Sequence, residues 1–203
     1  MKKLTFPLLF SISLFLFSCS EEINCPEFTE ENLELLPYAE GDTIVFMNQN
    51  NEIFELIITE VERTEAYTTT CRGRNSICPC YSSAEIKAKN TLDPDEYPFI
   101  LFETDNVSFS RLFFFNFLKL RFEFDFARDF SYLALMPEMT LYNEFMVDGK
   151  TYERVLMYDS FDFPGSTINK VYFNEEYGII RFTERESGVN WNRLSDQGNN
   201  SYR

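Results

Sequence analysis

The stretch RLFFFNFLKLRFEFDFARDF, residues 111–130, constrains the fold of this chain more than any other part of the sequence. From Lys119 to Phe126, four charged residues alternate strictly with four large apolar residues. Successive side chains point to opposite faces in an extended strand, so this alternation predicts a β-strand with one solvated and one buried face. The buried face is aromatic, and we therefore expect a sheet with a phenylalanine-rich core.

The apolar phase of this stretch slips by one residue in its middle. Upstream, Phe113, Phe115 and Phe117 fall on the parity opposite to that of the downstream apolar residues, so the slip lies between Phe117 and Leu118. A β-bulge there would keep both halves on one core and bend the strand. Two strands joined by a tight turn near Asn116 are the alternative, although no Gly or Pro supports a turn. A long, bent, aromatic-faced strand suits a strongly curved sheet.

After Gly41 the chain follows a two-residue period or is continuously apolar, and it is rich in β-branched and aromatic residues. Asp148-Gly149 is the strongest hairpin signal, because both central positions of that turn need positive φ. Before Gly41, Thr29 favours one capped helical turn that stops at Pro37. We predict an all-β fold, an antiparallel sheet that is sandwich-like or curved into a half-barrel. The predicted strands are Asp42–Asn48, Glu52–Arg63, Ala84–Asn90, Pro98–Thr104, Ser108–Phe126, Leu141–Val147, Thr151–Asp159, Lys170–Asn174, Ile179–Thr183 and Val189–Leu194.

The N-terminus has the pattern of an export signal, with a short cationic start and an apolar segment that is too short to span a bilayer comfortably. It ends Leu16-Phe17-Ser18-Cys19, which resembles the lipobox of bacterial lipoproteins, in which the cysteine is diacylated and the signal is cut off before it. The resemblance implies lipidation of Cys19 by acyl chains such as palmitate, and two or three chains anchor a protein stably where one is marginal. We expect a lipoprotein signal peptide over residues 1–18, a lipidated acidic tether over 19–36 and a single antiparallel β domain over 37–203.

Two further patterns support the same resemblance. Ser20-Glu21-Glu22 resembles the signal that sends Bacteroidota-type lipoproteins to the outer face of the outer membrane. The C-terminal pattern from Lys170 to Trp191, KVYFNEEYGIIRF followed by VNW, together with the lipobox resembles uncharacterised Bacteroidota-type envelope lipoproteins. The resemblance implies lipid anchoring in the outer membrane and leaves open whether the domain is surface-exposed or faces the periplasm. It implies no activity for particular residues.

Charge and composition argue against several classes of function. The formal net charge is −15, and loss of the two lysines in the signal would make it −17. Such a surface repels nucleic acid, whose binding depends on Lys and Arg that neutralise phosphates. The chain has no histidine, which removes the Ser-His and Cys-His nucleophile pairs and every His-ligated metal site. We therefore expect no nucleic-acid partner, no enzymatic activity, and no cofactor or metal.

Four cysteines remain when Cys19 is assigned to lipid: Cys25, Cys71, Cys78 and Cys80. An oxidising compartment and an even number favour two disulfides. A bridge from Cys78 to Cys80 would be strained, because one residue separates them. Cys25–Cys78 with Cys71–Cys80, and Cys25–Cys80 with Cys71–Cys78, are both open, with a slight preference for the first. A four-cysteine zinc site and a redox-active pair of Cys78 and Cys80 rank below the disulfides.

The aromatic face of residues 111–130 has two interpretations, a ligand-binding surface and a packed core. Its large residues could line a cavity for an acyl chain or another apolar ligand, although any β core needs large apolar side chains. We predict a membrane-anchored cell-envelope lipoprotein, a non-catalytic binding or interaction module whose partner is a protein, a glycan or an apolar ligand. The alternatives are a carrier of an apolar ligand in the Phe-lined concavity and a histidine-free hydrolase with a carboxylate pair such as Glu123 and Asp125. The candidate ligand face consists of Phe113, Phe115, Phe117, Phe122, Phe124 and Phe126.

Overall fold

The computed structural model describes residues 25, 27–34, 36–68, 80–92, 95–105, 111–118, 120–125, 138–160 and 166–194. These residues form one helical turn and eleven strands, so the prediction of an all-β fold is confirmed. Thr29 caps the helical turn α1 (Glu30–Leu33) by accepting a hydrogen bond from the Asn32 amide, as the sequence predicts. The strands are β1 (Thr43–Asn48), β2 (Ile53–Thr68), β3 (Cys80–Asn90), β4 (Tyr97–Asp105), β5 (Arg111–Phe117), β6 (Leu120–Asp125), β7 (Met139–Val147), β8 (Lys150–Asp159), β9 (Ile168–Asn174), β10 (Gly178–Glu184) and β11 (Asn190–Arg193).

All of these strands belong to one antiparallel sheet in the order β6-β5-β4-β3-β2-β1-β11-β10-β9-β8-β7. Strands β1 to β6 form one meander, and strands β7 to β11 form a second. The pairing of β1 with β11 joins the two meanders, with Phe46 opposite Arg193 and Asn48 opposite Trp191. This junction therefore depends on contacts between residues far apart in sequence.

The sheet curls on itself into a half-barrel. Phe122 of β6 stacks on Tyr158 of β8 with ring centroids 5.4 Å apart, and Phe115 of β5 contacts Phe173 of β9 at 5.2 Å. These strands are far apart in the sheet order, so their rings meet across the concave side. The curved half-barrel, one of the two predicted architectures, is confirmed.

The parity slip at Phe117 is a hairpin turn, and the preferred prediction of a bulge within one long strand is wrong. Strand β5 ends at Phe117, β6 begins at Leu120, and these two residues pair directly. A two-residue connection places residues three apart on the same face, so both apolar sets face one core. Leu118 adopts a φ of 47°, the left-handed conformation that a tight hairpin turn demands. The alternative of two strands is right, with the turn after Phe117 rather than near Asn116.

Buried asparagines end three strands and fix the turns that follow. Asn48 and Asn174 each accept, through Oδ1, hydrogen bonds from two amides of the next turn at 2.9–3.0 Å. Asn90 accepts one in the same way from the Leu92 amide at 2.9 Å. An asparagine side chain thus replaces backbone acceptors that the end of a strand leaves unpaired. These turns separate the strands where the sequence predicts breaks.

The segment before β1 packs into the sheet. Phe28 and Leu36 are each 3% exposed and belong to the main core. Phe28 meets Phe102 of β4 edge to face, with ring centroids 5.1 Å apart. The range 19–36, predicted to be a tether, thus contains core residues, and the packed domain begins before residue 37.

Tyr38 connects this segment to the second meander. Its hydroxyl accepts a hydrogen bond from the Ile179 amide at 2.7 Å, at the start of β10. Gly178, with a φ of +72°, lies directly against the tyrosine ring. Burial raises the pKa of Tyr38 to about 12. The Tyr38 ring can therefore occupy this position only because residue 178 has no side chain.

Candidate functional site

The predicted ligand face lies on the concave side of the half-barrel, and other core residues pack against its described part. Phe115, Phe117 and Phe122 each expose at most 5% of their surface. The side chains of Phe113 and Phe124, and all of Phe126, lie outside the described residues. The ring of Phe117 contacts four others at centroid distances of 5.1–6.4 Å, those of Phe46, Phe54, Phe99 and Phe182. These contacts have the edge-to-face and tilted geometry of a packed aromatic core.

The structure joins Cys25 to Cys80 by a disulfide, with Cα atoms 5.3 Å apart. This pair belongs to the second of the two predicted connectivities, and the slightly preferred pairing of Cys25 with Cys78 is not the one observed. Cys19, Cys71 and Cys78 lie outside the described residues. Within the part of the chain that is described, no three Cys, Asp or Glu side chains form a group able to hold a metal ion. In the same ranges, no helix has the length and apolar character that a membrane crossing requires.

A second, smaller apolar cluster lies outside the main core, and we call it the outer cluster. Asp148, in the β7–β8 turn, accepts a hydrogen bond from Asn192 Nδ2 of β11 at 3.0 Å. Because β9 and β10 lie between these strands in the sheet order, the hairpin end bends over both of them. Arg154 of β8 has a φ of 54°, which departs from regular strand conformation on this hairpin. The outer cluster consists of buried Val147, Tyr152, Val155 and Ile180 with half-buried Tyr142, Phe145, Tyr172 and Tyr177 around them.

A β-bulge directs Arg181 into the outer cluster. Ile179 pairs with Phe173 and Arg181 pairs with Tyr172, so Ile180 is an extra residue in β10. Ile180 and Arg181 consequently lie on the same face although they are adjacent in sequence. Bulges commonly re-aim a side chain in this way next to binding sites.

Aromatic rings and an amide, rather than a carboxylate, hold the Arg181 side chain. Its guanidinium carbon lies 5.1 Å from the ring centroid of Phe145 and 5.8 Å from that of Tyr172. Its Nε donates a hydrogen bond to Asn192 Oδ1 at 2.6 Å. Among the residues that the structure describes, neither Nη atom has a hydrogen-bond partner. A fixed guanidinium with one open edge has the geometry that binds a carboxylate through two parallel hydrogen bonds.

Lys150 is a second cation held over rings in the outer cluster. Its Nζ lies 3.8 Å from the ring centroid of Tyr177 and 4.8 Å from that of Tyr152. The chain has 33 acidic and 18 basic residues, so carboxylate partners are abundant. Arg181 and Lys150 nevertheless face aromatic rings rather than carboxylates, which distinguishes this surface from the rest of the described surface. The described cations that do form ion pairs with carboxylates include Arg63, Lys87, Arg154 and Lys170.

Sequence reasoning missed the outer cluster, because its members come from separate strands whose register is not visible in the sequence. Phe145, Tyr172 and Arg181 belong to β7, β9 and β10 and meet only through the bent hairpin and the bulge. Burial raises the pKa of Tyr172, while the positive charges of Lys170 and Arg181 oppose that rise. The half-buried rings and the cations make this a surface able to bind an anionic group.

Comparison with protein-family models, curated proteins and solved structures found no match to this chain. The assignment of a function therefore rests on the chemistry and placement of its own residues.

Proposed function

We propose that this chain is a non-catalytic binding module of the bacterial cell envelope that recognises a carboxylate-bearing partner through Arg181. Lipid at Cys19 anchors it to the outer membrane. The observation that supports this recognition is the placement of the Arg181 guanidinium. Two rings and Asn192 hold it in place, while its Nη atoms have no hydrogen-bond partner among the described residues. The support for the anchor is the resemblance of residues 16–19 to a lipobox.

The packed interior supports recognition on the outer face. Phe46, Phe54, Phe117 and Phe182 contact one another within the half-barrel, so this part of the concave side is occupied by side chains. An isolated Arg–carboxylate contact in water is weak, whereas a guanidinium fixed by its neighbours loses less conformational entropy on binding. Arg181 is half-buried, so its guanidinium is of the fixed kind that loses less conformational entropy on binding.

Calorimetric titration of the full chain with two carboxylate probes, trigalacturonate and a Glu-rich peptide, tests the recognition. We expect at least one probe to bind, and its methyl ester, which keeps the shape and loses the charge, to bind much more weakly. Arg181→Gln should weaken binding roughly 10- to 100-fold, because charge-assisted hydrogen bonds contribute about 1.5–3 kcal/mol. Lys89→Gln, which removes the same charge from an exposed position on β3, is the matched control and should leave binding unchanged.

Two results would contradict this recognition site. Failure of both probes to bind would exclude a general carboxylate site, and equal affinities of Arg181→Gln and Lys89→Gln would exclude a role for Arg181. A urea unfolding midpoint for each variant separates loss of binding from loss of folding.

The anchor is tested by detergent phase partitioning of the full chain expressed in a bacterium. The unaltered chain should enter the detergent phase, and Cys19→Ala should not, because the acyl chains have no attachment point. Ser18→Ala keeps a small residue before the cysteine and is the matched control. Entry of Cys19→Ala into the detergent phase to the same extent would refute lipidation at this residue.

The carrier of an apolar ligand is the second candidate, supported by the aromatic character of the concave side. Native mass spectrometry of the protein, repeated after denaturation, decides this point. A reproducible mass excess lost on unfolding would establish a bound ligand, whereas a bare mass would support the interior as a core alone.

A further inference from the structure

The Cys25–Cys80 disulfide determines which end of the sheet lies near the N-terminal anchor. Cys80 is the first residue of β3 and pairs with Thr68, the last residue of β2. Cys25 is therefore covalently held at this end of the β2–β3 ladder. The opposite end of β2 begins at Ile53, which pairs with Met47 of β1.

The chain between the proposed lipid and the disulfide is short. Six residue steps separate Cys19 from Cys25, which span about 20 Å when fully extended. Strand β2 has 16 residues, and its end at Ile53 lies about 45 Å along the strand from Tyr67. The tether thus keeps the Tyr67 end of β2 within reach of the membrane surface, whereas the Ile53 end is free to point away.

The end of the ladder that the tether reaches carries a tyrosine pair. Tyr67 of β2 and Tyr81 of β3 pair directly across the strands, and their rings stack with centroids 5.5 Å apart and planes 26° apart. Tyr67 is 47% exposed, one of the large side chains that the described surface leaves most accessible. A tyrosine combines an apolar ring with a polar tip, and this residue type is enriched where lipid headgroups meet water.

A carboxylate beside the tyrosine pair and the chain's overall negative charge favour a zwitterionic over an anionic lipid surface. Tyr67 Oη donates a hydrogen bond to Glu103 Oε2 at 3.2 Å, so a carboxylate lies beside the rings. A carboxylate and an overall charge of −15 disfavour close contact with anionic headgroups. A zwitterionic headgroup region offers the same interface without that repulsion.

We propose that the stacked Tyr67 and Tyr81 rings rest in the zwitterionic headgroup region of the anchoring membrane and hold β2 upright, with its Ile53 end away from the bilayer. This inference rests on the lipid anchor at Cys19. It adds a second, non-covalent contact to that anchor and fixes the orientation of the domain. The contact leaves the β1–β2 turn at the far side, facing away from the membrane.

Depth-dependent fluorescence quenching on the full lipidated chain tests the orientation. The chain has one tryptophan, Trp191, so Trp191→Phe gives a silent background. Tyr67→Trp and Ile53→Trp then place a single reporter at either end of the same strand, and Ile53 is an exposed position in the native chain. Each protein is reconstituted into phosphatidylcholine vesicles that contain lipid with a doxyl spin label near the headgroup.

The label should reduce the fluorescence of the residue-67 reporter roughly twofold or more, because an interfacial ring lies beside it, and should leave the residue-53 reporter unchanged. Equal quenching at both ends would mean that the domain lies flat, and quenching at residue 53 alone would mean that it is inverted. Either result, or no quenching at residue 67, overturns the tyrosine contact. If Trp191→Phe lowers the urea midpoint, the same reporters are introduced with Trp191 retained and the difference from the parent is measured.

Flotation of the vesicles in a density gradient separates this inference from the anchor. A chain that does not float with the vesicles refutes lipidation at Cys19. A chain that floats and leaves the residue-67 reporter unquenched refutes the tyrosine contact alone.

Discussion

The packing of Tyr38 against Gly178 predicts that Gly178→Ala strongly destabilises the fold. A Cβ at residue 178 would meet the Oη and Cζ atoms of Tyr38 and lie 2.8 Å from its Cε1, well inside van der Waals contact. Tyr38 is 4% exposed, so the ring is enclosed by other groups and cannot move outward into solvent without losing its buried contacts. The residue also has a φ of +72°, a conformation that a side chain disfavours in any surroundings.

The magnitude follows from three contributions. The left-handed backbone conformation costs about 1–2 kcal/mol for a residue with a Cβ. Overpacking against a buried ring costs about 1–3 kcal/mol. Displacement of the Tyr38 hydroxyl would leave the buried Ile179 amide without its acceptor, which costs about 1–3 kcal/mol. We therefore expect Gly178→Ala to lower the free energy of unfolding by about 3–8 kcal/mol, a large part of a typical domain's stability.

Gly188→Ala is the matched control, because Gly188 has a φ of +67° and nothing within 4 Å of the added Cβ. Only the backbone contribution applies there, so the loss should be about 1–2 kcal/mol. With a urea m value of about 2 kcal/mol/M, the unfolding midpoint should fall by roughly 0.5–1 M for Gly188→Ala and by roughly 1.5–4 M for Gly178→Ala. Equal shifts of the two midpoints would refute the close packing of Tyr38 on Gly178.

Three further predictions use the same urea assay. The pKa of Tyr38 is about 12 in the folded protein and about 10 in the unfolded chain, so the folded state keeps a proton that the unfolded state releases, and stability should fall by about 2 kcal/mol as the pH rises from 10 to 12. Tyr38→Phe should flatten that decline, and an unchanged pH dependence would exclude Tyr38 as its source. Replacing Cys25 and Cys80 together by Ala should lower the free energy of unfolding by about 4 kcal/mol, since the disulfide closes a loop with a sequence separation of 55, and a midpoint within error of the parent would contradict this account. Phe117→Ala should lower it by about 3–5 kcal/mol because Phe117 is fully buried among other rings, whereas a loss below 1 kcal/mol would contradict a packed interior.

The strand positions could be predicted because each strand carries its own local signal. Alternation of charged and apolar residues defines β6, and asparagines mark the ends of β1 and β9. The turn after Phe117 illustrates the limit of such signals. A bulge and a two-residue turn produce the same parity slip, and Leu118 gives no hint of the positive φ that it adopts. The hydrogen bonds between β5 and β6 decide between them, and these depend on the chain's path in three dimensions.

Other features depend on contacts that one segment of sequence does not contain. Phe28 is flanked by polar and acidic residues, so only its contact with Phe102 shows its place in the core. Arg181 shows the same limit on the outer face. Its neighbours come from other strands, and an extra residue at Ile180 shifts it into register with Tyr172. Periodicity predicts which face a residue takes within a regular strand, and a bulge breaks the regularity on which that prediction depends.

The Cys25–Cys80 disulfide also determines how the domain would bear a mechanical load. A pull from the N-terminal side would pass from Cys25 directly into Cys80 and so bypass the intervening chain, including α1, β1 and β2. The force would act along β3, whose ladders with β2 and β4 run parallel to it. Hydrogen bonds perpendicular to the strands would then be loaded together in shear rather than opened one after another. A domain pulled from its N-terminal side would therefore resist unfolding through the β2–β3 ladder, the longest ladder of the described residues.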